Sequence, residues 1–111
     1  MANNCSNTLT AYGSKEDIKH FVETFTEDYV GDTLQIRDLL LEENQDRCCT
    51  IWYITRWHPH LEELIELLAE FPTLLFKLSY SELLYNFAGR LITEGGNVLY
   101  DEMFEPEDTI Y

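Results

Sequence analysis

Basic residues are scarce in this chain, and their scarcity narrows the range of its partners. The 111 residues include 7 Lys and Arg against 21 Asp and Glu, which gives a formal net charge of −14 at pH 7. Nucleic-acid binding draws most of its non-specific affinity from Lys and Arg side chains that neutralise phosphates. Surplus negative charge repels nucleic acid and anionic membranes and attracts basic surfaces. We therefore expect a basic protein surface as the partner, with no direct nucleic-acid binding and no membrane.

Long apolar runs and a secretory signal are also missing. Runs such as residues 39–41 and 74–76 are far shorter than the ~20 residues that a membrane-spanning helix needs. Residues 1–8 are polar and lack the charged and apolar regions of a signal peptide. The sequence therefore predicts a cytoplasmic protein.

Cysteine is too sparse for a disulfide framework or a zinc site. Cys48 and Cys49 are adjacent, and Cys5 makes the number odd. Zinc sites use paired ligands at spacings such as C-x₂-C, which this chain lacks. The nearest approach to a ligand pattern is His58 and His60, about ten residues after the cysteine pair. We expect buried or half-buried thiols and neither a metal nor another cofactor.

The chain does have the composition of a packed domain. Its hydrophobic fraction is 45% and its aromatic fraction 14%, whereas a disordered acidic segment is poor in Trp, Tyr and Phe. Its length suits one domain of the usual size, on the order of 100 to 150 residues. We predict a single domain over residues 1–111, in which residues 104–111 form an acidic tail.

Apolar residues at helical spacing predict two helices. The first follows Ser14, which is placed as the N-cap of a capping box with Asp17. The second begins at Pro59, because proline suits the first helical position, and ends before Pro72. The apolar stripes of the two helices are formed by Ile18, Phe21, Val22 and Phe25, and by Leu61, Leu64, Ile65, Leu68 and Phe71.

Period-two alternation predicts the strands. Residues 48–57 form the clearest one, because β-branched and aromatic side chains dominate it. Glycines 95 and 96 tolerate the positive φ of a tight hairpin between strands at 87–93 and 97–103. Residues 42–47 are interpreted as a polar connection. Further strands are predicted at residues 5–12, 33–40 and 74–80, although residues 39–41 could equally form a helical turn.

The order of these elements predicts the fold class. Strand, helix, strand, strand, helix and strand make the βαββαβ pattern, and a hairpin follows it. We therefore predict an α+β fold: a ferredoxin-like βαββαβ antiparallel sheet with two helices on one face and an added C-terminal β-hairpin.

Several short motifs resemble those of one family. The opening residues 4–10, Asn-Cys-Ser-Asn-Thr-Leu-Thr, are similar to the start of the YubB ferredoxin-like, or Api92-like, proteins of phages and plasmids. Thr55-x-Trp57-x-Pro59 resembles that family's junction of the third strand and second helix. Residues 71–72, 78–80 and 87–90 resemble its C-terminal half. The resemblance implies a mobile-element origin and a ferredoxin-like fold, and it implies no established activity.

Candidates for catalysis are few. Cys5 could pair with His58 or His60 as thiol and imidazole, but a position in a central strand predicts a buried, inert thiol instead. The carboxylates of the second helix fall on its outer face, where such groups are usually only solvated. Glycines 95 and 96 do not open a helix, so they form no phosphate-binding loop. We do not expect an enzyme.

An acidic protein-binding surface is the remaining class. Spread evenly over on the order of 6,400 Å² of surface, the fourteen net charges amount to about one per 460 Å². Duplex DNA carries one per roughly 110 Å². Imitation of DNA therefore requires that the carboxylates gather on one side of the protein.

These observations predict an acidic inhibitor of a host nucleic-acid-handling defence system, of the anti-CRISPR or anti-restriction type, acting in the cytoplasm of the host cell. It would occupy the basic nucleic-acid channel of a host nuclease or CRISPR effector. The alternatives are a nucleic-acid-binding accessory protein of a mobile element, whose sheet aromatics would stack on bases, and a self-associating structural module such as a homodimer. The predicted partner-binding residues are Glu42, Glu43, Asp46, Asp101, Glu102, Glu105, Glu107, Asp108, Tyr85, Phe104 and Tyr111.

Overall fold

The computed structural model describes residues 4–29, 36–56, 58–82 and 87–104, without the side chains of residues 28, 29 and 36–43. Two helices and six strands lie within these ranges. In chain order the elements are β1 (Asn4–Tyr12), α1 (Lys15–Thr24), a π-helical turn (Phe25–Tyr29), β2 (Ile36–Asn44), β3 (Cys48–Arg56), α2 (Leu61–Ala69), β4 (Leu75–Glu82), β5 (Phe87–Glu94) and β6 (Asn97–Phe104).

The strands form one sheet in the order β2-β3-β1-β4-β5-β6, and every neighbouring pair is antiparallel. β1 lies at the centre, where Leu9 is opposite Ile51 of β3 and Leu78 of β4. The first four strands have the split βαβ arrangement, and β5 and β6 extend the sheet beyond β4. The predicted ferredoxin-like fold with an added hairpin is confirmed.

Both helices cover the same face of the sheet. In β1 the residues Cys5, Asn7, Leu9 and Ala11 are buried, and their cross-strand partners in β3 and β4 are buried with them. Phe21 of α1 contacts this face at Phe76 with ring centroids 4.7 Å apart, and Phe25 of the π-helical turn contacts Tyr53 at 5.2 Å. Leu64, Leu67 and Leu68 of α2 complete the same core. Among the described elements, none covers the opposite face of the sheet.

The predicted N-cap of α1 is confirmed. The Ser14 hydroxyl oxygen accepts a hydrogen bond from the Asp17 backbone N–H at 3.2 Å. The Asp17 carboxylate accepts one from the Thr73 hydroxyl at 2.8 Å. The first turn of α1 is thereby attached to the loop before β4.

Several predicted boundaries are wrong. α2 ends at Ala69 rather than at Phe71, and Phe104 belongs to β6 rather than to the tail. Residues 42–44 belong to β2, because their backbone continues the pairing with β3 as far as Asn44 opposite Cys49. Polar residues are compatible with this position, since β2 is an edge strand. α2 begins at Leu61 and not at Pro59, because His60 adopts a left-handed conformation (φ 55°, ψ 53°) that cannot continue a right-handed helix.

The terminal hairpin forms as predicted. Gly95 and Gly96 have φ values of 62° and 81°, which suit the tight turn between β5 and β6. β6 is the other edge strand and is exposed along nearly all of its length. Within the described ranges, neither helix has the length and apolar content needed to cross a bilayer.

Candidate functional site

The structure distributes the predicted partner-binding residues over separate parts of the sheet. Glu42 and Glu43 lie in β2, and Asp46 is exposed in the turn between β2 and β3. Phe104 is half-buried at the end of β6. Asp101 and Glu102 are also on β6. The remaining predicted residues lie outside the described ranges: Tyr85, Glu105, Glu107, Asp108 and Tyr111.

The described members of this predicted site do not meet. Asp101 is opposite Leu91, which is buried beneath the helices, and Glu102 is opposite Arg90, which is exposed on the other face. The two carboxylates therefore point to opposite sides of the sheet. Asp46 lies at the far edge, five strand spacings or about 24 Å away.

A larger group of carboxylates lies on the helices. Most of these side chains are exposed, and two are half-buried. The basic side chains described on the same elements are Lys15 and Lys19. We call this group the acidic helix layer: Glu16, Asp17, Glu23, Glu27, Glu62, Glu63, Glu66 and Glu70.

The sequence contained a signal for this layer. Carboxylates recur at helical spacing opposite the apolar stripe of each helix, as at Glu62 and Glu66. Taken one helix at a time, these carboxylates are typical of ordinary solvated faces. The predicted fold already placed both helices on one face of the sheet, but the charges of the two outer faces were not added together.

The open sheet face, meaning the sheet surface away from the helices, has a different charge. Its described carboxylates are Glu94 and Glu102. Lys77 lies over the ring of Tyr12, with 5.5 Å from Nζ to the ring centroid. The described basic residues on this face are Arg56, Lys77 and Arg90. The described charges are therefore partitioned, with the helix side strongly negative and the sheet side close to neutral.

A buried polar cluster lies under the helices at one end of the sheet. The Asn7 side-chain amide donates to the backbone oxygens of Cys5 at 3.0 Å and Tyr53 at 3.3 Å. It also donates to the Thr55 hydroxyl at 3.0 Å. The Thr55 hydroxyl in turn donates to the backbone oxygen of His58 at 2.8 Å. This chain of hydrogen bonds connects β1, β3 and the segment before α2.

The cluster does not present a nucleophile. Burial raises the pKa of the Cys5 thiol to about 11, so the thiol stays protonated at neutral pH. The predicted burial of Cys5 is confirmed. Burial also raises the pKa of Tyr53, whose hydroxyl has no hydrogen-bond partner among the described residues. Catalysis through a Cys5 thiolate is therefore disfavoured.

The segment before α2 is held in a strained conformation. The His60 backbone N–H donates to His58 Nδ1 at 3.2 Å, and His60 Nε2 lies 3.1 Å from the backbone oxygen of Arg56. The two imidazole centroids are 4.0 Å apart. Such left-handed non-glycine residues persist only where the surroundings hold them, and they are common at binding sites. Among the described residues, no three His, Cys, Asp or Glu side chains group as metal ligands.

We expect His60 to make the stability of the protein depend on pH. Burial, and then the neighbouring His58, lower the pKa of His60 below its ordinary value of 6.5. Its contribution to stability is therefore complete above about pH 6.5 and is lost as the pH falls from there through the lower pKa of the folded state. His60→Asn, which tolerates the left-handed conformation, should show a smaller loss in the free energy of unfolding between about pH 7.5 and about pH 5.5.

Urea denaturation at the two pH values measures this difference. His20→Asn makes the same change at an exposed imidazole of α1 and controls for the chemical substitution itself. Equal losses in the free energy of unfolding between the two pH values for His60→Asn and the wild type would contradict the prediction.

A cleft of about 610 Å³ opens between the start of α2 and the β5–β6 hairpin. Part of its wall is apolar and part is polar, including two imidazoles, two carboxylates and a phenol. The apolar side chains are Pro59, Leu61, Phe87 and Met103, and the polar ones are His58, His60, Glu62, Glu63 and Tyr80.

Gly89 sets the shape of this cleft. A Cβ at Gly89 would overlap the Tyr80 ring and would lie 2.7 Å from the backbone oxygen of Glu102. The absent side chain therefore lets the Tyr80 ring lie flat across β5, where it meets Phe87 edge-on with centroids 6.3 Å apart. Burial, and then Asp101, raise the pKa of Tyr80, so its hydroxyl remains a hydrogen-bond donor.

Comparison with known proteins supports the fold. Searches of curated proteins and of solved structures found no match to this chain. A family model described as the ferredoxin-like domain in Api92-like protein matches residues 38–111, from within β2 to the C-terminal residue. This match covers about two thirds of the chain, and it includes the central and C-terminal motifs that carried the resemblance, whereas the motif at residues 4–10 lies outside it. The chain belongs to the Api92-like family of ferredoxin-like proteins.

Proposed function

We propose that this protein is a non-enzymatic inhibitor of a host nucleic-acid-handling defence system, of the CRISPR or restriction type, in the host cytoplasm. Its acidic helix layer would enter a channel rich in Lys and Arg and exclude the nucleic acid that normally binds there. The observation that carries the proposal is the gathering of eight carboxylates against two ammonium groups on one side of the molecule.

The charge of that side has the sign of a nucleic acid at a lower density. The layer carries a net charge of −6, and half of the 6869 Å² surface is about 3,400 Å², which gives about one charge per 570 Å². Duplex DNA has one charge per roughly 110 Å². The helix layer therefore resembles DNA in the sign of its charge and not in its density.

The mechanism follows from the negative charge of the helix layer. Carboxylates on rigid helices steer the encounter with a positive groove, because interactions of this kind act over about a Debye length, roughly 8 Å at physiological salt. The helices order the backbone of the layer before binding, so the entropy lost on association comes mainly from the carboxylate side chains. Competition with nucleic acid is the expected result.

Displacement of nucleic acid from purified effectors tests the proposal. A fluorescent guide RNA or DNA duplex bound to a panel of CRISPR effectors and restriction endonucleases should be released from at least one of them. The helix-layer variant Glu16→Gln, Glu23→Gln, Glu62→Gln and Glu66→Gln should lose roughly tenfold or more in potency, because long-range steering falls with net charge.

A second variant with the same change of charge separates surface from net charge. Asp46→Asn, Glu94→Gln, Asp101→Asn and Glu102→Gln lie on the turn and strands of the sheet. We expect this variant to stay within about threefold of the wild type at physiological salt. A larger loss in the sheet variant would locate the interface at the sheet edges, and equal potency of all proteins, or no displacement from any effector, would refute the proposal.

One observation favours a second function, that of a nucleic-acid-binding accessory protein. The open sheet face carries three of the basic residues and a cross-strand row in which Trp52, Thr8, Ser79 and Arg90 are neighbours. Rings and cations on such a face can bind single strands by stacking and by phosphate contacts. A gel shift with single-stranded DNA or RNA at low salt tests this second function. If a shift is seen, Trp52→Ala should abolish it.

A further inference from the structure

The cleft beside α2 is large enough for a ligand and is built from rigid elements. Its volume of about 610 Å³ lies within the range of roughly 300 to 1,000 Å³ that is usual for ligand sites. One wall is the beginning of α2, and the other is formed by Phe87 of β5 and Met103 of β6. Gly89 fixes the ring of Tyr80 between them. The cleft is therefore formed before any ligand arrives.

The wall combines an apolar side with two carboxylates. Leu61, Phe87 and Met103 offer an aliphatic chain, a ring and a thioether. Glu62 and Glu63, in the first turn of α2, place two carboxylates beside that apolar part of the wall, where they can accept hydrogen bonds. A ligand that satisfies both parts needs an apolar stem and a positively charged end.

Other ligand classes fit less well. An anion would meet Glu62 and Glu63 directly and would be repelled by the net charge of the chain. A purely apolar ligand would displace water from those carboxylates and could not replace the hydrogen bonds that the water made. Such desolvation of a charged group is costly. A cation avoids both penalties.

Among biological cations, a guanidinium matches this wall best. It is planar, more weakly hydrated than an ammonium, and donates two parallel hydrogen bonds to a carboxylate. Its flat face can also lie against a ring such as that of Phe87, and the thioether of Met103 adapts to the alkyl stem. These properties favour arginine over lysine.

We propose that the cleft lined by Leu61, Glu62, Glu63, Phe87 and Met103 is a binding pocket for an arginine side chain presented by the basic protein partner. This proposal rests on the inhibitor function proposed above, for which it supplies an anchoring point at the edge of the acidic helix layer. The carboxylates of the layer attract the partner, and the pocket holds one of its arginines in place.

Capped single amino acids test the pocket without any partner. N-acetyl-arginine amide, titrated into the ¹⁵N-labelled full chain, should shift the backbone signals of residues around the cleft. N-acetyl-lysine amide should bind more weakly, and N-acetyl-citrulline amide, which has nearly the same shape without the charge, should bind at least about tenfold more weakly, since charge-assisted hydrogen bonds are lost.

Variants locate the binding. Glu63→Gln and Met103→Ala should each weaken the arginine derivative by about tenfold or abolish its shifts. Glu94→Gln makes the same charge change on the open sheet face, outside the cleft and the acidic helix layer, and it should leave binding unchanged. The fold of each variant is checked from the signals that lie far from α2.

The outcomes are decisive for the pocket. Equal binding of the arginine and citrulline derivatives, or equal losses in Glu63→Gln and Glu94→Gln, would overturn the proposal. An absence of arginine binding, together with displacement of nucleic acid that depends on the helix layer, would overturn the pocket and leave the inhibitor function standing. Arginine binding without displacement from any effector would support the pocket and count against the inhibitor function.

Discussion

Replacement of Gly89 by alanine should destabilise the protein by roughly 3 kcal/mol or more, because the new methyl group has no space. It would overlap the buried ring of Tyr80 and would approach the backbone oxygen of Glu102 to 2.7 Å. That oxygen belongs to β6, and Gly89 is itself paired with Met103 of this strand. Relief therefore requires a shift of the hairpin or expulsion of the ring.

Gly95→Ala is the matched control for this prediction. Gly95 has a φ of 62°, but a Cβ there would find only the backbone oxygen of Pro72, at an ordinary 3.9 Å. Alanine at this position costs only the left-handed backbone conformation, about 1 to 2 kcal/mol. Urea denaturation followed by circular dichroism should therefore rank Gly89→Ala as the more destabilising change, and the reverse order would contradict the steric explanation.

A double-mutant cycle identifies the clash. In the background of Tyr80→Ala, the added cost of Gly89→Ala should be smaller, because the ring is gone and only the contact with β6 remains. Additive effects would show that the Tyr80 ring is not the obstacle.

Replacement of Asn7 by aspartate should cost a similar amount at neutral pH, about 3 kcal/mol. The two side chains have nearly the same size, so no cavity is made. The Asn7 amide donates to two backbone oxygens and to the Thr55 hydroxyl, whose own hydrogen is donated to His58. A carboxylate in this place would face acceptors and carry a buried charge.

The loss of stability in Asn7→Asp should increase with pH. Burial and the neighbouring carbonyl oxygens raise the pKa of the introduced carboxyl in the folded state above the unfolded value of about 3.9. The penalty is therefore least below about pH 3.9 and grows as the pH rises through the folded pKa. The gap in unfolding free energy between variant and wild type should be smaller near pH 4 than near pH 7.

Asn97→Asp is the control for the chemical change itself. Asn97 is exposed at the hairpin and donates to the backbone oxygen of Gly95 at 3.4 Å. Its replacement should alter stability by no more than about 0.5 kcal/mol. Comparable losses for the two variants would mean that the buried hydrogen bonds of Asn7 contribute little.

The partition of charge connects the fold to the proposed inhibition. The same arrangement that buries the apolar stripes of α1 and α2 against one face of the sheet turns their carboxylates outward together. The cleft lies where the beginning of α2 meets the added hairpin. The four strands of the βαββαβ unit would not form it without that hairpin. The hairpin thus supplies the wall that Phe87 and Met103 provide.

Local patterns predicted the elements whose causes are local. The alternation of β-branched and aromatic residues identified β3, and the serine before α1 was confirmed as its N-cap. Glycines 95 and 96 marked the hairpin because their positive φ values are needed there. The Api92-like motifs agreed with the order of elements.

Features that depend on distant residues were not predicted. The polar end of β2 is a strand because β3 lies beside it, and a single sequence does not show the length of such a pairing. The left-handed His60 is held by contacts to Arg56 and His58, and proline at position 59 indicated an earlier helix start. The partner-binding residues at 85, 105, 107, 108 and 111 lie outside the described ranges and stay predictions.

The amino-acid sequence by itself determined the quantity of charge, the identity of the elements and their order, because composition and short-range periodicity are properties of the chain alone. The tertiary structure decided where that charge lies. Two helices share one face of the sheet only because their apolar stripes have the same surface to cover, and this packing puts their carboxylates side by side. It also formed the cleft, whose two walls are separated by more than twenty residues of sequence and meet only in the folded protein.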